Sequence, residues 1–296
     1  MPNRAMRALL SEPWAIDPGY LPLLAAIAQR NHSAPELEAA AGWAKRDYQM
    51  MAGPSAIKLD GSYRSFVSEG VAIIPVTGPI FPRANLMTEM SGATSCAMIQ
   101  NDLAVAANSE DVGAILMMFD TPGGAVSGVN ATADMMDQMS KKKKMASFVT
   151  GTAASAGYWL ASQTGEIVLE RTGIVGSIGV VVTVPKQVQA DSNGYVEFEI
   201  VSSNAANKRP DPSTEDGQAE VRATLDAIER EFIADVARGM GVSTETVIEK
   251  FGQGGIKVGA DAIKAGMAHR IDSYGATLKR MQNMVRANKR ASALKK

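Results

Sequence analysis

The sequence predicts an α/β fold built on a largely parallel sheet. Three observations carry that expectation. Short apolar, β-branched runs recur along residues 70–184. Segments of roughly 10–15 residues with helical character separate them, as crossover connections of a parallel sheet require. Past Thr214, apolar residues fall at spacings of three to four, which is the period of an amphipathic helix.

The elements follow in order. Residues 1–60 read as a small, mostly helical appendage, with one run opened by Pro18 and a second from Pro35 to Ala52. Val71–Val76 (VAIIPV) is a strand ended by a Gly/Pro turn. A helix over 92–107 leads to a buried strand at Val112–Phe119, and Asn130–Lys144 is helical by propensity. Met145–Thr150 is the next strand, Ala153–Ser162 a helix, and Glu166–Glu170 a strand. GIVGSIGVVVTV and YVEFEIV supply more strand material. In the helix after Thr214, Val221, Leu225, Ile228, Phe232, Ile233 and Val236 form the apolar face, and Gly239 and Gly241 suit its end. Ser243 or Thr244 caps a shorter helix with Glu245 in its first turn. One more short helix follows, and 276–296 is a basic helix or tail. The resulting organisation is an appendage at 1–60, a main domain at 61–275 and the basic segment.

Composition narrows the function classes. The 296 residues are 46% hydrophobic and 21% charged, which supports a sizeable core, and the formal net charge is -1. Bulk charge gives no reason to expect specific nucleic-acid binding. A lone Cys96 excludes an intrachain disulfide, and two histidines, His32 and His269, argue against a multi-histidine metal centre. No run of about 18 apolar residues is present, so no membrane span is expected and a reducing, soluble compartment is.

Three segments could carry chemistry. FDTPGGAVSG, Phe119–Gly128, ends a strand and opens two glycines before a helix; backbone N–H groups there can stabilise negative charge. VTGTAASAGYWLA, Val149–Ala161, sets Ser155 among small residues at a helix start. That serine is either a nucleophile, or an N-cap or small packing residue. RTGIVGSIGVVV, Arg171–Val182, holds Ser177, which could orient a base or merely sit in a glycine-bent strand. A nucleophilic serine needs a base; His269 and Lys208 are the candidates, and His32 reads as a solvated loop residue. Burial would let a lysine serve, and composition does not choose between the two. No glycine run matches a dinucleotide or phosphate-loop pattern in its required context.

TPGG at Thr121–Gly124, AASAGYWLA at Ala153–Ala161 and TGIVGSIGVV at Thr172–Val181, in that order, resemble the S49 peptidases. The resemblance covers roughly residues 70–275. It implies a Clp protease/crotonase-like fold of repeated β-β-α units. It also implies a serine endopeptidase in which Ser155 is nucleophile, Lys208 general base and Ser177 the group that holds the lysine amine. The oxyanion donors it implies are the N–H groups of Gly124, preferred to Gly123, and Ala156, whose position often holds glycine in the family. No metal or organic cofactor is implied. The opening Leu9–Arg30, with its PWAI, resembles the phage head maturation branch. That branch implies scaffold, capsid or portal proteins, or the chain itself, as substrate, a homo-oligomer, no membrane, and a place in the host cytoplasm or prohead interior. An anchor-free signal-peptide-fragment peptidase and a non-catalytic assembly protein are the rival readings.

Overall fold

The structure is a computed structural model and describes residues 13–17, 49, 52–53, 55–84, 88, 92–184, 189, 196 and 201–294. Among these residues, three long parallel strands make the centre: β4 (Val71–Thr77), β7 (Ala114–Thr121) and β9 (Lys144–Ala154). On one side the sheet continues through β3 (Phe66–Ser68) to β2 (Ile57–Lys58). On the other, β9 carries β11 (Ile174–Gly176), which pairs with β12 (Ile256–Val258), and also β10 (Ile167–Leu169), which pairs with β13 (Arg270–Ile271).

Both faces of the central strands are buried, which is why they read as near-continuous apolar runs. Alternate residues go to opposite faces. Ala72, Ile74, Val76, Ile115, Met117, Phe119 and Val149 enter the larger core; Val71, Ile73, Leu116, Met118 and Phe148 enter the smaller. The larger core is closed by α1 (Cys96–Asn108), α2 (Val129–Lys142), α3 (Ala156–Ala161) and the C-terminal part of α4 (Glu215–Met240). The Thr214 hydroxyl accepts from Gly217 N at 3.1 Å and Gly241 ends α4 in the left-handed conformation. Ser243 caps α5 (Thr244–Lys250) and α6 (Gly259–Lys264) follows.

The basic C-terminal segment is a helix, α7 (Tyr274–Ala293), whose Met281 and Val285 cover the second face of the sheet. Gly70 and Gly113 admit it: a methyl on either would stand 2.9 or 2.8 Å from Val285. Its arginines reach Glu166 and Glu69. Among the described residues, no helix is long and apolar enough to cross a membrane.

A small second sheet crosses the strand ends in the order β1 (Trp14–Ile16), β8 (Gly123–Ala125), β5 (Ile80–Phe81), β6 (Thr94–Ser95). In chain order, β4, β5 and β6 precede α1, and β7 and β8 precede α2. Residues 14–16 therefore belong to the body as a strand and depart from the helical appendage expected at 1–60. The helical runs expected between 18 and 52 lie outside the described residues, except for Gln49 and Ala52, which are helical. The strand expected at 195–201 also falls mostly outside them. Of GIVGSIGVVVTV, only Ile174–Gly176 forms a strand, with Val181 bridging to Trp14.

Candidate active site

Ser155 stands where β9 turns into α3. β7 and β9 pair in register from Ala114↔Lys144 to Phe119↔Val149, then resume at Thr121↔Ala153. The extra residues of β9 form a bulge, a feature that re-aims the chain beside a site. Asp120 fills it: its carboxylate accepts from Thr152 N at 3.1 Å, and a methyl on Gly151 would stand 3.0 Å from its Cγ. β11 then holds the strand end, with Gly176 opposite Ala154 and Ser155 N donating to Gly176 O at 2.7 Å.

At that point Ser155 adopts φ 51°, ψ −119°. Residues with a Cβ avoid such positive φ, and holding one there costs about 1–3 kcal/mol. Trp159 N donates to Ser155 O at 2.9 Å, so the helix begins at once. The side chain does not cap it. The residue is 1% exposed and its Oγ has no hydrogen-bond partner. An unbonded buried hydroxyl costs a further ~1–3 kcal/mol. The side chain therefore does not serve the helix as an N-cap hydroxyl, and Ser155 is a strained serine with an unbonded hydroxyl at a strand-to-helix turn.

The double-glycine turn presses on this serine. Gly123 has φ 105°, and a Cβ there would stand 2.9 Å from Ser155 Cβ, 3.0 Å from Ala154 O and collide with Ala15 O. A Cβ on Gly157 would collide with the Thr121 methyl. Gly124 is opposite Ala15 of β1. The amides of Ala156, Gly157 and Tyr158 precede the first helical hydrogen bond and have no acceptor inside α3. Ser177 follows Gly176 directly, has φ 55°, and donates its N–H to Gly255 O at 2.9 Å. Ser155, Ala156, Gly123, Gly124 and Ser177 thus converge on adjoining strand and helix ends.

Lys208 lies in the segment before α4. It closes a 3-10 turn, Ala206–Lys208, and is exposed; no hydrogen bond joins its amine to Ser155 Oγ. His269 is engaged elsewhere. Its Nδ1 accepts from Ile167 N at 3.0 Å, and Ile167 pairs with Ser147, roughly 25 Å back along β9 from Ser155. Burial pushes its pKa down. His32 lies outside the described residues. Cys96 is buried, and burial pushes its thiol up to about 11, which suits an inert core residue.

Behind α3 sits a buried network. Trp159 stacks on Phe232 with ring centroids 4.3 Å apart, and its indole N–H donates to Asp235 Oδ2 at 2.8 Å. Asn130 donates to the same oxygen, Arg238 pairs with Oδ1 at 2.8 Å, and Gln163 donates to Asp235 O. α4 is thereby bolted to the helix that carries the serine. The sequence signal was an acidic residue within an apolar face, between Phe232 and Val236. Asp235→Ala strands Trp159 and Arg238, so it should destabilise the protein by about 3 kcal/mol. Asp235→Asn should lose less. Denaturant titration checks both; an unchanged midpoint for the alanine variant would deny the network its role.

These features define an α/β protein with a strained serine beside a double-glycine turn, and comparison with known proteins gives its family. The family model for Peptidase family S49 matches residues 137–288, about half of the chain, and that for Clp protease matches residues 83–175. The chain belongs to peptidase family S49, and its α/β architecture is Clp-like. It is 27% identical to Head-tail preconnector protein GP5 of Enterobacteria phage P21, over 99% of this chain and 59% of that protein. It is 27% identical to Capsid assembly protease C of Escherichia phage lambda, over 75% of this chain and 51% of the relative. With Protease 4 of Haemophilus influenzae it shares 24% identity, over 74% of this chain and 35% of the relative. The chain thus spans between about a third and three fifths of the length of these curated relatives.

Proposed function

We propose that this chain is a serine endopeptidase that cleaves scaffold or capsid proteins during phage prohead maturation. The observation that carries the reading is Ser155, strained at φ 51° with a buried and unbonded hydroxyl. In this reading Ser155 Oγ attacks the substrate carbonyl carbon, and Lys208 takes its proton while Ser177 holds the amine. The N–H groups of Gly124 and Ala156 receive the developing oxyanion. The C–N bond breaks, the amine leaves with a proton, and water hydrolyses the acyl-enzyme. The name of one phage relative, Capsid assembly protease C, supports a protease role in capsid assembly.

Lys208 is exposed in the single chain, so the reading requires the turn that carries it to close over Ser155. Val221, Leu225 and Ile228 of α4 are only partly buried, which supports a homo-oligomer. The test is co-expression with scaffold or capsid protein, comparing the native chain with Ser155→Ala and Lys208→Ala by intact mass. Loss of the same cleavage in both variants, with circular dichroism unchanged, is expected. Unchanged processing would sink the assignment. Loss in the serine variant alone would remove Lys208 from the role of base.

A further inference from the structure

The strand β1 covers the edge of β8 beside Ser155. It is paired along both edges. Asp17 N donates to Pro122 O at 2.8 Å and Val126 N donates to Pro13 O at 3.2 Å. Antiparallel pairing alternates, so Ala15↔Gly124, midway between those bonds, is the hydrogen-bonded pair in which Gly124 N–H serves the Ala15 carbonyl. On the opposite edge Trp14 N donates to Val181 O at 2.8 Å and Val181 N to Trp14 O at 2.9 Å. Without β1, β8 would expose an unpaired edge beside Ser155, the template that strand-adding peptides use.

Its register points at the nucleophile. The missing methyl of Gly123 would touch both the Ala15 carbonyl oxygen and Ser155 Cβ, so these two groups are neighbours across Gly123. The side chains are equally well seated. Ala15 is fully buried against the main core, while Trp14 and Ile16 lie with Phe81, Ala93, Ala125 and Val181. Trp14 meets Phe81 edge to face at 6.0 Å.

We infer that Pro13–Asp17 is an intramolecular occupant of the substrate groove, and that it must leave before another peptide enters. The inference rests on the peptidase reading of Ser155. It also names a substrate class: an extended peptide with a small residue where Ala15 sits, an aromatic residue before it and an aliphatic one after. The occupant holds the enzyme closed to other peptides, and its own sequence is the template for what can displace it.

The test uses the full-length chain and two serine-directed probes. One is a small alkyl fluorophosphonate; the other is acetyl-Pro-Trp-Ala diphenyl phosphonate. Trp14→Ala should label with the small probe about tenfold faster than the native chain, because a buried aromatic anchor of the strand is gone. In the native chain the peptide probe should react about tenfold faster than its acetyl-Pro-Ala-Trp isomer. Once it has labelled Ser155, hydrogen exchange should show residues 14–17 losing protection while 123–126 and 181 keep theirs. Protection of 14–17 unchanged at full labelling, or equal rates for the two peptide probes, would overturn the occupancy and leave the nucleophile intact. Failure of the small probe to label either chain at Ser155 would remove the nucleophile reading, and this inference with it.

Discussion

Ser155→Ala should abolish peptide hydrolysis and raise the melting temperature. The first effect should be a fall of at least about 10³-fold, the scale on which removal of a nucleophile acts. The second follows from burial. The Ser155 hydroxyl is shielded from water and meets no acceptor or donor. Its removal relieves a desolvation penalty of about 1–2 kcal/mol, worth about 2–4 °C in a chain of this size. Ser155→Gly should gain more, because glycine also accepts φ 51° without strain. Calorimetry beside a turnover assay reads both effects. A lower melting temperature for the alanine variant would mean that the hydroxyl stabilises the fold, and a nucleophile held at the expense of stability would no longer describe it.

Gly123→Ala should cost both stability and activity. A methyl there strikes the Ala15 carbonyl, stands 2.9 Å from Ser155 Cβ and 3.0 Å from Ala154 O, and forces a side chain to φ 105°. All three contacts are with backbone or with the nucleophile's own Cβ, so none can yield by a simple rotamer change. The expected loss is about 2–4 kcal/mol, with reactivity of Ser155 falling by about 100-fold or more. Gly241→Ala is the matched control. Gly241 also has positive φ, 66°, but nothing lies within 4 Å of its would-be Cβ. It should cost about 1 kcal/mol and leave serine reactivity unchanged. Equal effects for the two variants would show that backbone strain alone, not crowding at the serine, governs Gly123.

Much of the scaffold was legible because its signals are local. β4, β7 and β9 follow buried apolar runs, and α4 follows its spacing from the Thr214 cap to Gly241. The small residues around Ser155 and the Pro-Gly-Gly turn marked both pieces of the candidate site. The bulge at Asp120, the buried pairing of Asp235 and the engagement of His269 with Ile167 were not legible. Each depends on a partner far away in the chain, and no local period announces it.

The N-terminal strand sharpens the contrast. Trp14–Ile16 is three residues long, too short for a period-2 pattern to stand out. By itself, the sequence determined the parallel α/β layout, the capped helix α4 and a serine among small residues at a strand-to-helix turn. Local propensity and hydrophobic period suffice for those. The tertiary structure alone decided that Gly123 faces the serine, that Lys208 is exposed in the single chain, and that Ala15 fills the edge beside Ser155. Those outcomes depend on which distant backbone groups satisfy one another once water is excluded, and strand pairing settles that only when the chain closes.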